Sequence, residues 1–181
     1  PLDLASLALP QLTAHRLAAL DALEALSADP SAAQRVLKLG ARQLGDIDRN
    51  RALRTAATLP AIDRYTGVLY DALNAPSLGS GARGWLGDHV WIHSALFGVI
   101  CALDAIPSYR LSAGTSLPGV APLRRHWASG ISAAIEAVRP RFVLDMRSDA
   151  YAALGPVPEA VGAASVRVVT DEGGSARALN H

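Results

Sequence analysis

Between Ser94 and Gly114 the chain reads SALFGVICALDAIPSYRLSAG, and the polar and glycine residues of this run follow neither a helical nor a strand period. A segment shaped by core packing alone has no need of them. Any fold the chain adopts must therefore hold Ser94, Gly98, Asp104, Tyr109, Arg110 and Gly114 at positions that regular amphipathicity does not explain.

Size and composition bound the rest. With 181 residues, half of them hydrophobic and 18% charged, the chain can fill one core and offset its conformational entropy. A single domain over residues 1–181 is the expectation. No apolar stretch approaches the ~20 residues of a membrane helix, and no basic, apolar leader opens the chain. Cys101 is the only cysteine, which rules out an intrachain disulfide and fits a reducing compartment. These features together predict a cytoplasmic location. The net charge of +1 hides a skew, because Lys38 is the only lysine among seventeen basic residues. Arginine's planar fork suits phosphates and bases, but an Ala-, Leu-, Arg- and Gly-rich composition is also what a GC-rich coding sequence yields.

Breakers and periodicity divide the chain. Thr13 is placed to cap a helix through Ser27, with Leu17, Leu20, Leu23 and Leu26 at helical spacing and Asp29-Pro30 ending it. Ser31 is placed to cap a second helix carrying Val36, Leu37 and Leu44, and Asp48 a third through Thr58, broken at Leu59-Pro60. AIDRYTG from Ala61 reads as a strand, Gly67 turns the chain into a short helix VLYDAL, and APSLGSGARG reads as loop. His89 to Ile100 suits a strand or hairpin, with Tyr109 to Leu111 adding another. Pro122 opens a helix to about Val138 with Leu123, Trp127, Ile131 and Ile135 on its apolar face. Pro140 stops it, RFVLDM reads as a buried strand, and ASVRVVTD reads as another. The alternation predicts a mixed α/β or α+β fold, helical in its first third, with helices covering a mixed sheet.

Several apparent motifs have two readings. Gly79, Gly81 and Gly84 form G-x-G-x-x-G, but a dinucleotide site needs a preceding strand, and a loop with Pro76 stands there instead. No cofactor is expected. His89 and His93, four apart, would share a face, yet no third ligand accompanies them, and a histidine bonded to backbone explains each. No metal site is expected either. Arg124, Arg125 and His126 beside Trp127 form either a phosphate-binding, base-stacking cluster or a solvated face. Arg110 either meets a phosphate while Tyr109 stacks, or pairs with Asp104. Ser148 and Asp149 either cap the next helix or line a pocket at a strand end.

The Ser94–Gly114 run resembles the S-G-L-Y-G-V-L-x-P-x-D-x-I-x-x-Y-R-L-x-x-G stretch of the YaaA peroxide-stress family. Ser94, Leu96, Gly98, Val99, Asp104, Ile106, Tyr109, Arg110, Leu111 and Gly114 match it, with Leu103 at a variable position. Tyr65-x-Gly67-x-x-Tyr70, Trp127 and Ser148-Asp149-x-Tyr151 resemble further elements of the family in the same order. The family's Asn-His element is met by Asn180-His181. The resemblance also implies family segments before Pro1 and after His181, rich in lysine.

A basic cleft, a helix-hairpin-helix element, DNA binding and a role in limiting iron-driven DNA damage are what the resemblance implies. Ala95-Leu96-Phe97-Gly98-Val99 is the candidate hairpin, which departs from the family at Ala95, Cys101 and Ala102. Candidate phosphate contacts are Ser94, Gly98, Tyr109, Arg110, Arg124 and Arg125. Candidate pocket residues are Tyr65, Gly67, Tyr70, Asp104, Gly114, Trp127, Ser148, Asp149, Tyr151, Asn180 and His181. DNA is the expected partner. The alternative is an enzyme acting on a nucleobase or nucleotide in a pocket at the sheet edge, for which Tyr70, Ser94, Asp104, Arg110, Ser148 and His181 would have to converge.

Overall fold

The computed structural model describes residues 1–167 in full, and beyond them the backbones of Val169–Glu172 and Ser175–Ala178. Asn180 and His181 lie outside the described residues.

Helix α1 spans Thr13–Ser27 and ends where predicted, but Thr13 is its first residue rather than its cap: Leu12 holds the cap position and no side chain caps the helix. Its inward face is rotated from the expected one: Arg16, Ala19, Leu20, Leu23 and Leu26 are buried, while Leu17 is 43% exposed. Arg16 takes the inward position because its guanidinium finds carbonyls there. Its Nε donates to Phe97 O (2.9 Å) and its Nη2 to Ala8 O (2.6 Å) and Val99 O (2.9 Å).

Helix α2 covers Pro30–Leu37. Its cap is Asp29 rather than Ser31, since the Asp29 carboxylate accepts from the amides of Ser31 and Ala32 at 2.9 and 3.1 Å. Lys38 in the left-handed region ends α2 before Leu44. The third helix, α3, is Gly45–Arg51 and stops well short of Thr58. Thr58–Pro60 instead forms strand β1, drawn out of the helix by antiparallel pairing with Ala105–Pro107 (β4).

The segment expected as a strand from Ala61 is a single helical turn, α4 (Ala61–Arg64), followed by α5 (Val68–Leu73) beyond Gly67 at φ +116°. The expected loop contains α6, Ser80–His89. Its glycines have low helix propensity; a Cβ at Gly87 would lie 2.8 Å from Leu103 Cδ1, so a side chain there needs the exposed Leu103 side chain to shift.

Strands β2 (Trp91–Ser94) and β3 (Gly98–Cys101) form the antiparallel hairpin suggested by their composition. Ala95–Val99 is thus the turn and first residues of a β-hairpin, joining strands rather than helices, so it is no helix-hairpin-helix. Tyr109–Leu111 forms no strand; its backbone is held elsewhere, by Asn50. Helix α7 (Leu123–Val138) lies against this hairpin, with Trp127 fully buried. Gly98 is positioned by that ring: its φ is +66°, and a Cβ would sit 2.8 Å from Trp127 Cζ3. The indole N–H donates to Ala95 O at 3.0 Å.

Strand β5 (Val143–Asp145) pairs in parallel with β6 (Ala163–Ser165), across the short helix α8 (Asp149–Ala152). It is not the buried strand expected, since Phe142, Leu144 and Met146 on one face are each more than half exposed. β7 (Val169–Glu172) and β8 (Ser175–Ala178) form a last antiparallel pair. The protein is mixed α+β, and among the described residues its strands are divided among four two-stranded sheets instead of one mixed sheet. No helix of the described residues is long and apolar enough to cross a membrane.

Candidate functional site

Three separated segments meet beside the hairpin. Arg64, Tyr65 and Thr66 follow α4, Ser108 to Leu111 follow β4, and Tyr151 comes from α8; together they line a cleft of about 270 Å³. From its lining residues Tyr65 and Tyr109 a row of hydroxyls runs inward to Ser94. Ser94 Oγ lies 2.7 Å from Tyr109 Oη, which lies 2.8 Å from Tyr65 Oη. Ser94 is fully buried, and its Oγ accepts from the amides of Leu96 (3.2 Å) and Phe97 (2.9 Å) in the hairpin turn. Tyr70 stacks on Tyr65 with ring centroids 5.5 Å apart, and Phe97 meets Tyr109 edge-on at 5.5 Å.

Burial keeps this cluster protonated. It pushes the Tyr70 phenol up to about 12 and raises those of Tyr65, Tyr109 and Tyr151 as well, with Arg110 opposing the rise at Tyr151. The cleft therefore presents neutral phenols beside guanidinium groups.

Arg110 is the exposed cation of the cleft. Asp104 does not pair with it, because the Asp104 carboxylate accepts from the amides of Ala8 (3.0 Å) and Cys101 (2.9 Å) on another side of the hairpin. No acidic partner for Arg110 exists among the described residues. Its backbone, by contrast, is clamped: buried Asn50 accepts from Arg110 N (2.7 Å) and donates to Arg110 O (3.0 Å). Arg64 donates to Ile106 O through Nε (3.3 Å) and Nη2 (3.2 Å), which ties it to the β4 edge.

Behind Tyr151 stands a second polar group. Asp145 accepts from Arg147 three times, from Nε at 2.8 Å, Nη2 at 2.6 Å and the backbone amide at 3.1 Å, and Arg147 Nη1 donates to His93 Nδ1 (2.7 Å) and Gly155 O (2.9 Å). Burial and the Arg147 cation push the His93 imidazole down to about 3, so it is neutral and accepts at Nδ1. Its ring meets Tyr151 edge-on at 5.9 Å. His93 is thus bonded to a side chain rather than to backbone. His89 lies on α6, stacked on Trp85 at 4.5 Å, so the two histidines share no face.

The sequence-derived candidates divide accordingly. Tyr65, Tyr70, Ser94, Tyr109, Arg110 and Tyr151 come together. Asp104 braces the hairpin instead, and Gly98 and Trp127 are buried against each other. Full burial leaves Trp127 with no face for a base. Arg124 and Arg125 are exposed at the start of α7, and Gly67 and Gly114 are exposed. Ser148 precedes α8 without a side-chain capping bond, and Asp149 is exposed on its first turn. Asn50, Arg64, His93 and Arg147 were missed. Asn50 stands in the last turn of α3, where its residue type gave no signal.

Comparison with known proteins matches residues 3–181 to the family described as peroxide stress protein YaaA. A UPF0246 protein of Corynebacterium glutamicum is 43% identical over the whole chain, which spans 72% of that protein's length. A UPF0246 protein of Streptomyces coelicolor is 42% identical over 93% of this chain and 66% of its own length. A match over nearly the whole chain and identity at this level mean that the chain belongs to the YaaA peroxide stress protein family.

Proposed function

We propose that this protein acts in peroxide stress by binding DNA, with the tyrosine-lined cleft and Arg110 as the point where a phosphate and an adjoining base are held, and that this contact limits iron-driven damage to the strand. The observation that carries the proposal is Arg110: an exposed guanidinium with no acidic partner among the described residues, on a backbone clamped by Asn50, beside three phenol rings. A cation left free at a rigid position is suited to a phosphate, and the adjoining aromatic faces suit an unpaired base.

A second reading is favoured by one feature, the concavity of the cleft. At about 270 Å³ it lies just below the usual range of small-ligand sites, roughly 300–1,000 Å³, a size that suits a nucleobase or a single nucleotide.

The test is binding of a short duplex, a bubble duplex and a single strand across salt, with Arg110→Ala alongside. The DNA reading expects affinity to fall steeply with salt and the variant to lose about one unit of the salt slope. Absence of binding at low salt overturns it, and saturation by a mononucleotide instead selects the second reading.

A further inference from the structure

The hydroxyl row has a direction, and the hairpin turn sets it. A serine hydroxyl has two acceptor sites and one proton. Both acceptor sites of Ser94 are taken by the amides of Leu96 and Phe97. Its proton therefore goes to the remaining neighbour, Tyr109 Oη, 2.7 Å away. Tyr109 now accepts from Ser94, and its own proton has one other partner among the described residues, Tyr65 Oη at 2.8 Å. Tyr65 accepts that bond. Its own proton has no partner within the row and is left for the cleft that Tyr65 lines.

We infer that Tyr65 is a fixed hydrogen-bond donor and that the group seated against it is an unprotonated phosphoryl oxygen, whose charge is met by Arg110. The inference rests on the cleft being the ligand site proposed above. It adds what that site recognises. Each hydroxyl in the row polarises the next, so the outermost O–H is a better donor than an isolated phenol. Burial holds Tyr65 in its protonated form, as a donor must be. The neighbouring side chains Arg64 and Arg110 supply positive charge and no acceptor, which suits a phosphate oxygen and not an amine. A nucleotide monoester and a DNA diester both present such an oxygen.

Calorimetric titration of the whole protein with inorganic phosphate, thymidine 5′-phosphate and a short thymidine oligonucleotide tests this, using wild type, Tyr65→Phe, Tyr109→Phe and Arg110→Ala. Tyr65→Phe is expected to weaken the bound probe roughly tenfold or more, the scale of a lost hydrogen bond to a charged group. Tyr109→Phe keeps the Tyr65 hydroxyl but removes the group that orients it, and is expected to cost roughly threefold. Preference for the monoester or for the oligonucleotide identifies the source of the phosphate, and either supports the inference when Tyr65→Phe weakens it. If Arg110→Ala weakens binding while Tyr65→Phe and Tyr109→Phe do not, the donor role fails and the cleft stands as a site. If wild type binds no probe, or Arg110→Ala and Tyr65→Phe both bind as wild type does, the cleft reading falls and the donor role with it. Thermal unfolding of each variant separates lost binding from lost folding, and Tyr109→Phe alone decides the matter if Tyr65→Phe does not fold.

Discussion

The β2–β3 hairpin has an arginine on each of two sides, and the two are used in opposite ways. Arg16 is fully buried, and its Nε and Nη2 donate to the carbonyls of Ala8, Phe97 and Val99, while its Nη1 is buried without a partner among the described residues. Arg110 is exposed, with its peptide held by Asn50 and its guanidinium unpaired among the described residues. One side of the hairpin is closed around a buried guanidinium bonded to three carbonyls; the other ends in a row of phenols with a donor to spare. Burial pulls the Arg16 guanidinium down to about 10, opposed by Asp104, which still leaves it charged at neutral pH. The difference between an arginine that builds and one that binds therefore lies in where its donors go, not in its charge.

The comparison is open to breaking at both ends. Arg16→Leu should cost the most, about 3–5 kcal/mol by urea denaturation, because it leaves buried carbonyls and the Asp104 carboxylate without their cation. An unchanged midpoint would show that the closed side is not held by Arg16. Next comes His93, on the strand between the two sides. Its folded-state pKa near 3 lies below the ordinary imidazole value, so as pH falls below ~6.5 the unfolded chain takes up a proton that the folded one refuses. Stability is therefore full above that range and is lost towards pH 3. Between pH 7 and 5 the expected loss is about 1–2 kcal/mol, and His93→Gln should flatten that dependence. Smallest is Arg110→Ala, expected to change unfolding free energy by less than about 0.5 kcal/mol, since no side-chain bond is lost. A larger loss would mean that this guanidinium also serves the fold.

Local elements were legible in the sequence, and contacts between distant segments were not. Helices α1 and α7 carry long, regular apolar faces and clear breakers, and their bounds follow from those. The hairpin could be read from its β-branched composition. Thr58–Pro60 could not be read as strand, since its partner lies beyond Ile100 and a three-residue strand has no period of its own. The α6 helix was hidden by three glycines, of which only Gly87 has a close neighbour, the Leu103 side chain. In the cleft, the family motif marked Tyr65, Tyr109, Arg110 and Tyr151 without saying that they meet. Arg16 did carry a signal: it stands four before Leu20 and seven before Leu23, in the middle of the buried face.

Arg16 also has a consequence for the order of assembly. Its partners Phe97 and Val99 lie 81 and 83 residues further along the chain. During synthesis, α1 is made long before two of the three carbonyls that meet its guanidinium exist, so that face must stay in water until the hairpin has emerged. Contacts of such separation slow a chain's search for its native state. The N-terminal helices are thus committed late, although they are the first to be made.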